Sequence, residues 1–291
     1  MAGQLLAWHN GKTKTSIIII KGLKELFSFG KKFPHHLGIC LSGGSARGYA
    51  HVGVLQALHE HGIEPQIISG TSMGAVVGVL YAAGYSPADI KTILMEETFS
   101  KMTGFSWRRT GLYKLQKMKT ALERYIPEDD FAVLKKPFYL GLCNLDLGCV
   151  EMRGSGPLFN YIIASCSVPG FFAPIVLDGV NYVDGGLMCN LPASPIREQC
   201  RYLIGSHVNF PGKKVGFAGP KAILERSVNL GITQNTVPEK ALCDIVIDPP
   251  EMQAYSLFDF KKIEEIISVG YTCTVEMIDK GEIPVKKLRE R

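Results

Sequence analysis

The sequence predicts an α/β fold: a largely parallel sheet covered by helices on both faces. Three observations predict it. Short apolar runs of strand length alternate with longer stretches of helical apolar spacing from residue 37 onward. Thirty-one glycines supply the tight turns and close backbone approaches that strand–helix junctions need. Apolar residues make up 46% and charged residues 20% of the 291 positions, which describes a chain able to bury a sizeable core rather than a disordered one.

Residues 1–36 differ from the rest. TSIIIIKGLKELFSFGKK sets Ile20, Leu23 and Phe27 at helical spacing among Lys21, Lys24, Lys31 and Lys32. The stretch is too short and too charged to span a bilayer, and Gly22 and the isoleucine run weaken a helix there. Docking on the body or on a second copy of the chain, as in a homodimer, ranks ahead of an interfacial helix or a frayed end.

From residue 37 the elements follow in order. LGICLS (37–42) reads as a buried strand, and AHVGVLQALHEHG (50–62) as a helix through Val54, Leu55 and Leu58. PQIISG (65–70) is the next strand, with helices near 73–83 and 87–97. Residues 113–126 form a helix stopped by Pro127. PFYLGLCNLD and GCVEMR are strands joined at Leu147-Gly148. A helix near 157–166 precedes APIVLDGVNYVDGG, a strand pair. YLIGSHVNF (202–210) and CDIVIDP (243–249) are strands separated by a helix near 220–231, and the last helix occupies about 259–279. With no internal repeat or interdomain linker, one domain spans 37–280, between an N-terminal extension (1–36) and a basic tail (281–291).

The net charge of +5 is mild. Clusters at Arg108-Arg109, Lys114-Lys117-Lys119, Lys213-Lys214 and Lys286-Lys287 read first as solvated surface and second as docking to an anionic membrane. No basic stripe interleaved with aromatics points to nucleic acid. The eight cysteines form no Cys-x-x-Cys pair and mostly sit in apolar segments. Without a secretory signal they read as reduced thiols, placing the chain in the cytoplasm or peripherally on a membrane. No acidic cluster suggests calcium, and no metal or cofactor is implied.

Two stretches carry chemistry. ISGTSMGAVVGVL (68–80) places Ser72 between Gly70 and Gly74 where a strand gives way to a helix, the junction that a nucleophile elbow requires. A serine capping a helix in a tight turn is the plain alternative. LSGGSARGYAHVGVL (41–55) lies between a strand and a helix and leaves backbone N–H groups free for an anion. Its Gly43, Gly44 and Gly48 do not make Gly-x-Gly-x-x-Gly, and no phosphate-loop lysine follows, so a tetrahedral oxyanion fits better than a nucleotide. Arg47 either anchors that loop or faces a phosphate.

An attacking serine needs a base. Six histidines lie in the N-terminal segment or the helix after the glycine loop, which leaves His207 in YLIGSHVNF. The order Ser72, Asp184, His207 would fit a hydrolase triad. Asp184 in YVDGGLMCNLP offers a simpler solution: it ends a strand before two glycines, and a desolvated aspartate within reach could take the serine proton directly.

GGSARG (43–48), GTSMG (70–74), ASCSVPGFFAP (164–174) and DGG (184–186), in that order, resemble the patatin-like phospholipases. The resemblance covers roughly residues 37–210 and extends weakly into FDFKKIEEIISVGY (258–271), which is similar to the last helix of bacterial members. It implies a three-layer α/β/α sandwich and a serine–aspartate dyad without a catalytic histidine. Carried over, Ser72 is the nucleophile and Asp184 the base. Amides of Gly43, Gly44 and Ser45 form the oxyanion hole with Arg47 supporting the loop, and Gly48, Gly70, Gly74, Gly185 and Gly186 are motif glycines. Ser45 stands where many members have a third glycine; if that position needs positive φ, serine costs about 1 kcal/mol or more.

The expected activity is hydrolysis of phospholipid or related acyl esters through an acyl-enzyme. Leu187, Met188, Phe171 and Phe172 are candidates to line the acyl path, and segment 99–119, with Trp107 beside two arginines, to border the entrance at a membrane. The alternatives are a non-catalytic relative that binds lipid or protein, and a triad esterase using His207.

Overall fold

β1 (His35–Leu41) has residues 37–41 all buried, as a strand covered on both faces must. A computed structural model describes residues 32–96, 110–212, 216 and 219–289. The N-terminal extension with Ile20, Leu23 and Phe27, read as a docking segment, the entrance residues Trp107, Arg108 and Arg109, and Lys213-Lys214 lie outside those residues. The unit from His35 to Arg291 holds every element named below.

After β1 a loop and a 3₁₀ turn (Ser45–Tyr49) lead into α1 (Ala50–Glu60), β2 (Ile67–Gly70), α2 (Met73–Ala83), α3 (Pro87–Glu96) and α4 (Thr110–Tyr125). Then come β3 (Phe138–Asn144), β4 (Cys149–Arg153), α5 (Phe159–Ser165), β5 (Ile175–Leu177) and β6 (Val180–Asp184). The chain ends with α6 (Ser194–Arg197), β7 (Cys200–Ser206), α7 (Pro220–Leu242), β8 (Ile245–Ile247), α8 (Ile263–Asp279) and α9 (Val285–Arg289). Pairing runs β5–β6–β3–β2–β1–β7–β8, with β4 added on β3. The run from β3 to β8 is parallel, and β4, β5 and β6 pair antiparallel.

Alternation along the strands separates two cores. Leu37, Ile39, Leu41, Ile68 and Ile204 face a large core that includes Val54 of α1 and Leu80 of α2. Cys40, Ile67 and Leu203 face a smaller one with Ile196 of α6. Successive strand residues point to opposite faces, so both faces are covered and the architecture is the expected three-layer α/β/α sandwich.

One feature of register positions the site. β4 pairs with β3 from Leu140 to Asn144 and occupies that edge. β2 pairs with β3 up to Gly70↔Leu140, and β6 from Asn144↔Tyr182 to Leu142↔Asp184, so both must use the other edge. β2 is parallel to β3 and β6 antiparallel, so the two strands share a lane and meet end to end. Their last residues face positions two apart on β3, about 7 Å at strand rise.

Two elements differ from the sequence reading. The helix expected near 220–231 continues to Leu242 through Pro238. Hydrogen bonds from outside hold the extension: Glu239 Oε2 accepts the Ala193 and Ser194 amides at 2.8 and 2.7 Å, and Asn235 bridges to the Asp184 turn. The basic tail 281–291 carries α9, anchored by buried Ile283 and Leu288 and by Arg289 Nε donating to the His61 carbonyl. Among the described residues no helix is long and apolar enough to cross a membrane.

Candidate active site

Ser72 sits between β2 and α2 with φ 54° and ψ −125°. Such a backbone costs a non-glycine residue about 1–3 kcal/mol and persists only where the surroundings impose it. They do so here. A Cβ on Gly70 would lie 2.4 Å from the Gly74 carbonyl oxygen, and one on Gly74 2.3 Å from that of Leu41. The Ser72 amide donates to Ser165 Oγ (2.9 Å), which donates to the Gly141 carbonyl (2.8 Å). The Ser72 side chain makes no capping hydrogen bond to α2, so the plain helix-cap reading does not describe it.

Asp184, at the end of β6, arrives beside this turn. Its Oδ1 accepts the Gly186 amide at 2.8 Å, and its amide donates to the Ser167 carbonyl at 3.0 Å. Burial pushes its pKa up to about 6, against the stabilisation that the Ser72 hydroxyl and the Gly186 amide give the carboxylate. Gly185 must be glycine: its Cβ would fall 2.2 Å from the Gly141 carbonyl oxygen. The Cys166 thiol lies against both residues, and burial followed by the Asp184 charge pushes it well up. A thiol held protonated there is a poor nucleophile.

The glycine loop lies alongside. A Cβ on Gly43 would be 3.2 Å from Ser72 Cβ, and one on Gly48 2.5 Å from Met73 Cγ. Of the three amides expected to form an oxyanion hole, that of Gly43 is already committed, donating to the Asn190 carbonyl at 2.9 Å. Gly44 and Ser45 have amides without a partner among the described residues. Ser45 adopts φ 48°, the left-handed backbone that would have favoured glycine. Arg47 anchors the loop, with Nε and Nη2 donating to the Tyr255 carbonyl at 2.8 and 2.6 Å. A cavity of about 400 Å³ adjoins it, lined by Arg47, Asn209, Arg226, Thr233, Gln253 and Tyr255 among others, with no carboxylate among the described residues of its wall.

His207 does not join this group. It is fully buried, with Nδ1 on Asp248 Oδ1 at 2.8 Å, while Lys240 holds the other carboxylate oxygen at 2.7 Å. Its Nε2 has no partner among the described residues. Burial lowers its pKa despite Asp248. His51 is also internal, bonded to Ser206 Oγ and the Ser42 carbonyl. Of the residues suggested for an acyl path, Leu187 and Met188 are exposed beside the Asp184 turn. Phe171 packs against Phe258 at 4.8 Å between ring centres, and Phe172 packs on the large core. Ser165 and Cys166 fall inside the block ASCSVPGFFAP and Asn190 inside YVDGGLMCNLP, but sequence reasoning gave neither these three nor Asn209 a role, because each acts through a backbone group or a contact that no local pattern marks.

A family model described as patatin-like phospholipase matches residues 39–196, more than half the chain. The chain belongs to the patatin-like phospholipase family. The match runs from β1 into α6 of this patatin-like chain and includes the glycine loop, Ser72 and Asp184. Lysophospholipase NTE1 of Kluyveromyces lactis is 28% identical over 301 residues, covering 85% of this chain and 20% of that protein. An uncharacterized NTE family protein of Mycobacterium bovis is 35% identical over 162 residues, 55% of this chain and 45% of that one. The patatin-like chain thus spans about a fifth of NTE1 and under half of the mycobacterial relative. Among solved structures, VipD of Legionella pneumophila superimposes with a TM-score of 0.55 at 15% identity, over 85% of this chain and 67% of that chain, a likeness of fold.

Proposed function

We propose that the protein is a serine acyl hydrolase that cleaves fatty-acyl esters of phospholipids, lysophospholipids included, with Ser72 as nucleophile and Asp184 as base. The observation that carries this reading is the end-to-end meeting of β2 and β6, which brings a buried carboxylate against a serine on a strained turn. A base titrating near 6 is mostly ionised at neutral pH yet still holds a proton well.

Ser72 Oγ attacks the ester carbonyl as its proton passes to Asp184, and the oxyanion is met by the Gly44 and Ser45 amides. Collapse of the tetrahedral adduct breaks the bond to the alcohol, which leaves with the proton from Asp184. Water then attacks the acyl-enzyme, giving a proton to Asp184; the fatty acid departs and Ser72 regains its proton. The cavity beside Arg47, with two arginines and no carboxylate among its described lining residues, suits the phosphate of a polar head. A lysophospholipase among the relatives points to the same substrate class. Exposed Leu187 and Met188 favour approach to a lipid surface.

The His207 triad is disfavoured because that ring is committed to Asp248 and bonds neither Ser72 nor Asp184. The test is hydrolysis of lysophosphatidylcholine and of a fluorogenic acyl ester by wild type, Ser72→Ala and Asp184→Asn. Both variants should fall to background. Equal turnover by wild type and Ser72→Ala, or none by any of them, overturns the reading, the latter in favour of a binding protein.

A further inference from the structure

The Gly43 carbonyl oxygen is held by two side-chain amides, Asn209 Nδ2 at 2.6 Å and Asn190 Nδ2 at 3.4 Å. A peptide unit is planar and trans, so its C=O and N–H point in opposite directions. Fixing the Gly43 oxygen therefore fixes the direction of the Gly44 N–H, one of the two loop amides without a partner among the described residues. Because glycine flanks this peptide on both sides, side chains do little to stop it rotating. An outside clamp is needed to keep one orientation.

Asn209 suits that task better than it suits stability. Its Oδ1 is buried with no hydrogen-bond partner among the described residues, which is unfavourable for the fold. Turning the amide over would set that oxygen against the Gly43 carbonyl, so the orientation is determined. Asn190 has a second role. Its Oδ1 occupies the space that a Cβ on Gly43 or on Gly186 would take, at 2.5 and 2.7 Å, so the side chain is wedged between the loop and the turn after Asp184. Asn235 ties this joint to α7: its Oδ1 accepts the Asn190 amide at 3.0 Å and its Nδ2 donates to the Gly186 carbonyl at 3.0 Å.

We infer that Asn209, assisted by Asn190, is a positioning residue for acyl transfer: it clamps the Gly43–Gly44 peptide so that the Gly44 amide meets the developing oxyanion. The inference rests on the acyl-hydrolase reading above. Neither asparagine touches the reacting atoms; each acts through the peptide it holds.

Asn209→Leu tests it, since leucine of similar size removes both the clamp and the unpaired oxygen. Turnover is measured on a matched pair of substrates, an acyl ester of a neutral alcohol with no phosphate to enter the cavity that Asn209 also lines, and its thiono analogue, whose sulfur draws little from an oxyanion hole. The expected result is a fall in kcat of about 10- to 100-fold on the oxygen ester. KM should stay within about twofold, and the thiono ester rate should change little. The unfolding temperature should be no lower than that of wild type. Equal losses on both esters, or no loss on either, overturn the inference. Asn209→Ala carries the same kinetic expectations if the leucine variant does not fold, with a lower unfolding temperature from the void it leaves. A wild type inactive on both esters would overturn the acyl-hydrolase reading and this inference together, whereas an active wild type with an unaltered variant overturns only the inference.

Discussion

Replacing Asp184 by asparagine should make the protein inactive and more stable, with a gain that depends on pH. Asparagine is isosteric: its Oδ1 can keep the Gly186 amide, and its Nδ2 can donate to Ser72 Oγ. What it removes is a charge in a buried site, where burial lifts the aspartate from its ordinary 3.8 to about 6. Below about pH 4 the carboxyl is protonated in folded and unfolded chains alike. Between about 4 and 6 the folded chain holds a proton that the unfolded chain releases, so this group's contribution to wild-type stability falls as pH rises. Above about 6 the folded chain ionises too and the penalty levels off. The displacement corresponds to about 3 kcal/mol at pH 7.5 and about 1 kcal/mol at pH 4.5. Urea unfolding of both proteins at these two pH values reads the difference directly, because other groups titrate alike in each. Asp184→Asn should gain about 2 kcal/mol more at the higher pH. A gap independent of pH, or a variant less stable than wild type at pH 7.5, would refute the reasoning that Asp184 is a desolvated base.

Other outcomes follow from the same site. A base must be ionised to accept the Ser72 proton, so kcat/KM should drop about tenfold per pH unit below a midpoint near 6, measured with an uncharged ester. Arg226 lines the cavity and its Nη1 and Nη2 donate to the Pro211 and Gly212 carbonyls; a guanidinium has five N–H groups, more than these two bonds use. Arg226→Gln should raise KM for lysophosphatidylcholine about tenfold, the loss of one charged hydrogen bond, and leave a neutral monoacylglycerol unaffected. His207→Ala should cost less than about tenfold in kcat, through packing against Asp248, whereas a triad histidine would cost several orders of magnitude.

Much of the fold was legible because the elements have simple signatures: strand-length apolar runs, glycines at turns, and helices with one apolar face. Ser72 and Asp184 stood out because each sits at a strand end among glycines. What sequence could not convey was register. Nothing in IISG or VNYVD says that β2 and β6 share one edge of β3, since that follows from β4 occupying the other. Local sequence leaves the Gly43 amide without an evident acceptor, because the Asn190 carbonyl that takes it lies 147 residues away. Asn209 follows no motif and acts through a carbonyl, so no pattern marks it. The continuation of α7 from 231 to Leu242 is joined to the rest of the fold by the tertiary bonds of Asn235 and Glu239, one on each side of Pro238, which local sequence does not reveal.

The most direct measurement is the mass of the protein's peptides after brief exposure to an activated fatty-acyl ester and acid quenching. An acyl group on the peptide containing Ser72, present in wild type and missing from Asp184→Asn, is the predicted result. An acyl group carried elsewhere, on Cys166 for instance, or one that accumulates equally without the Asp184 carboxylate, would contradict the account.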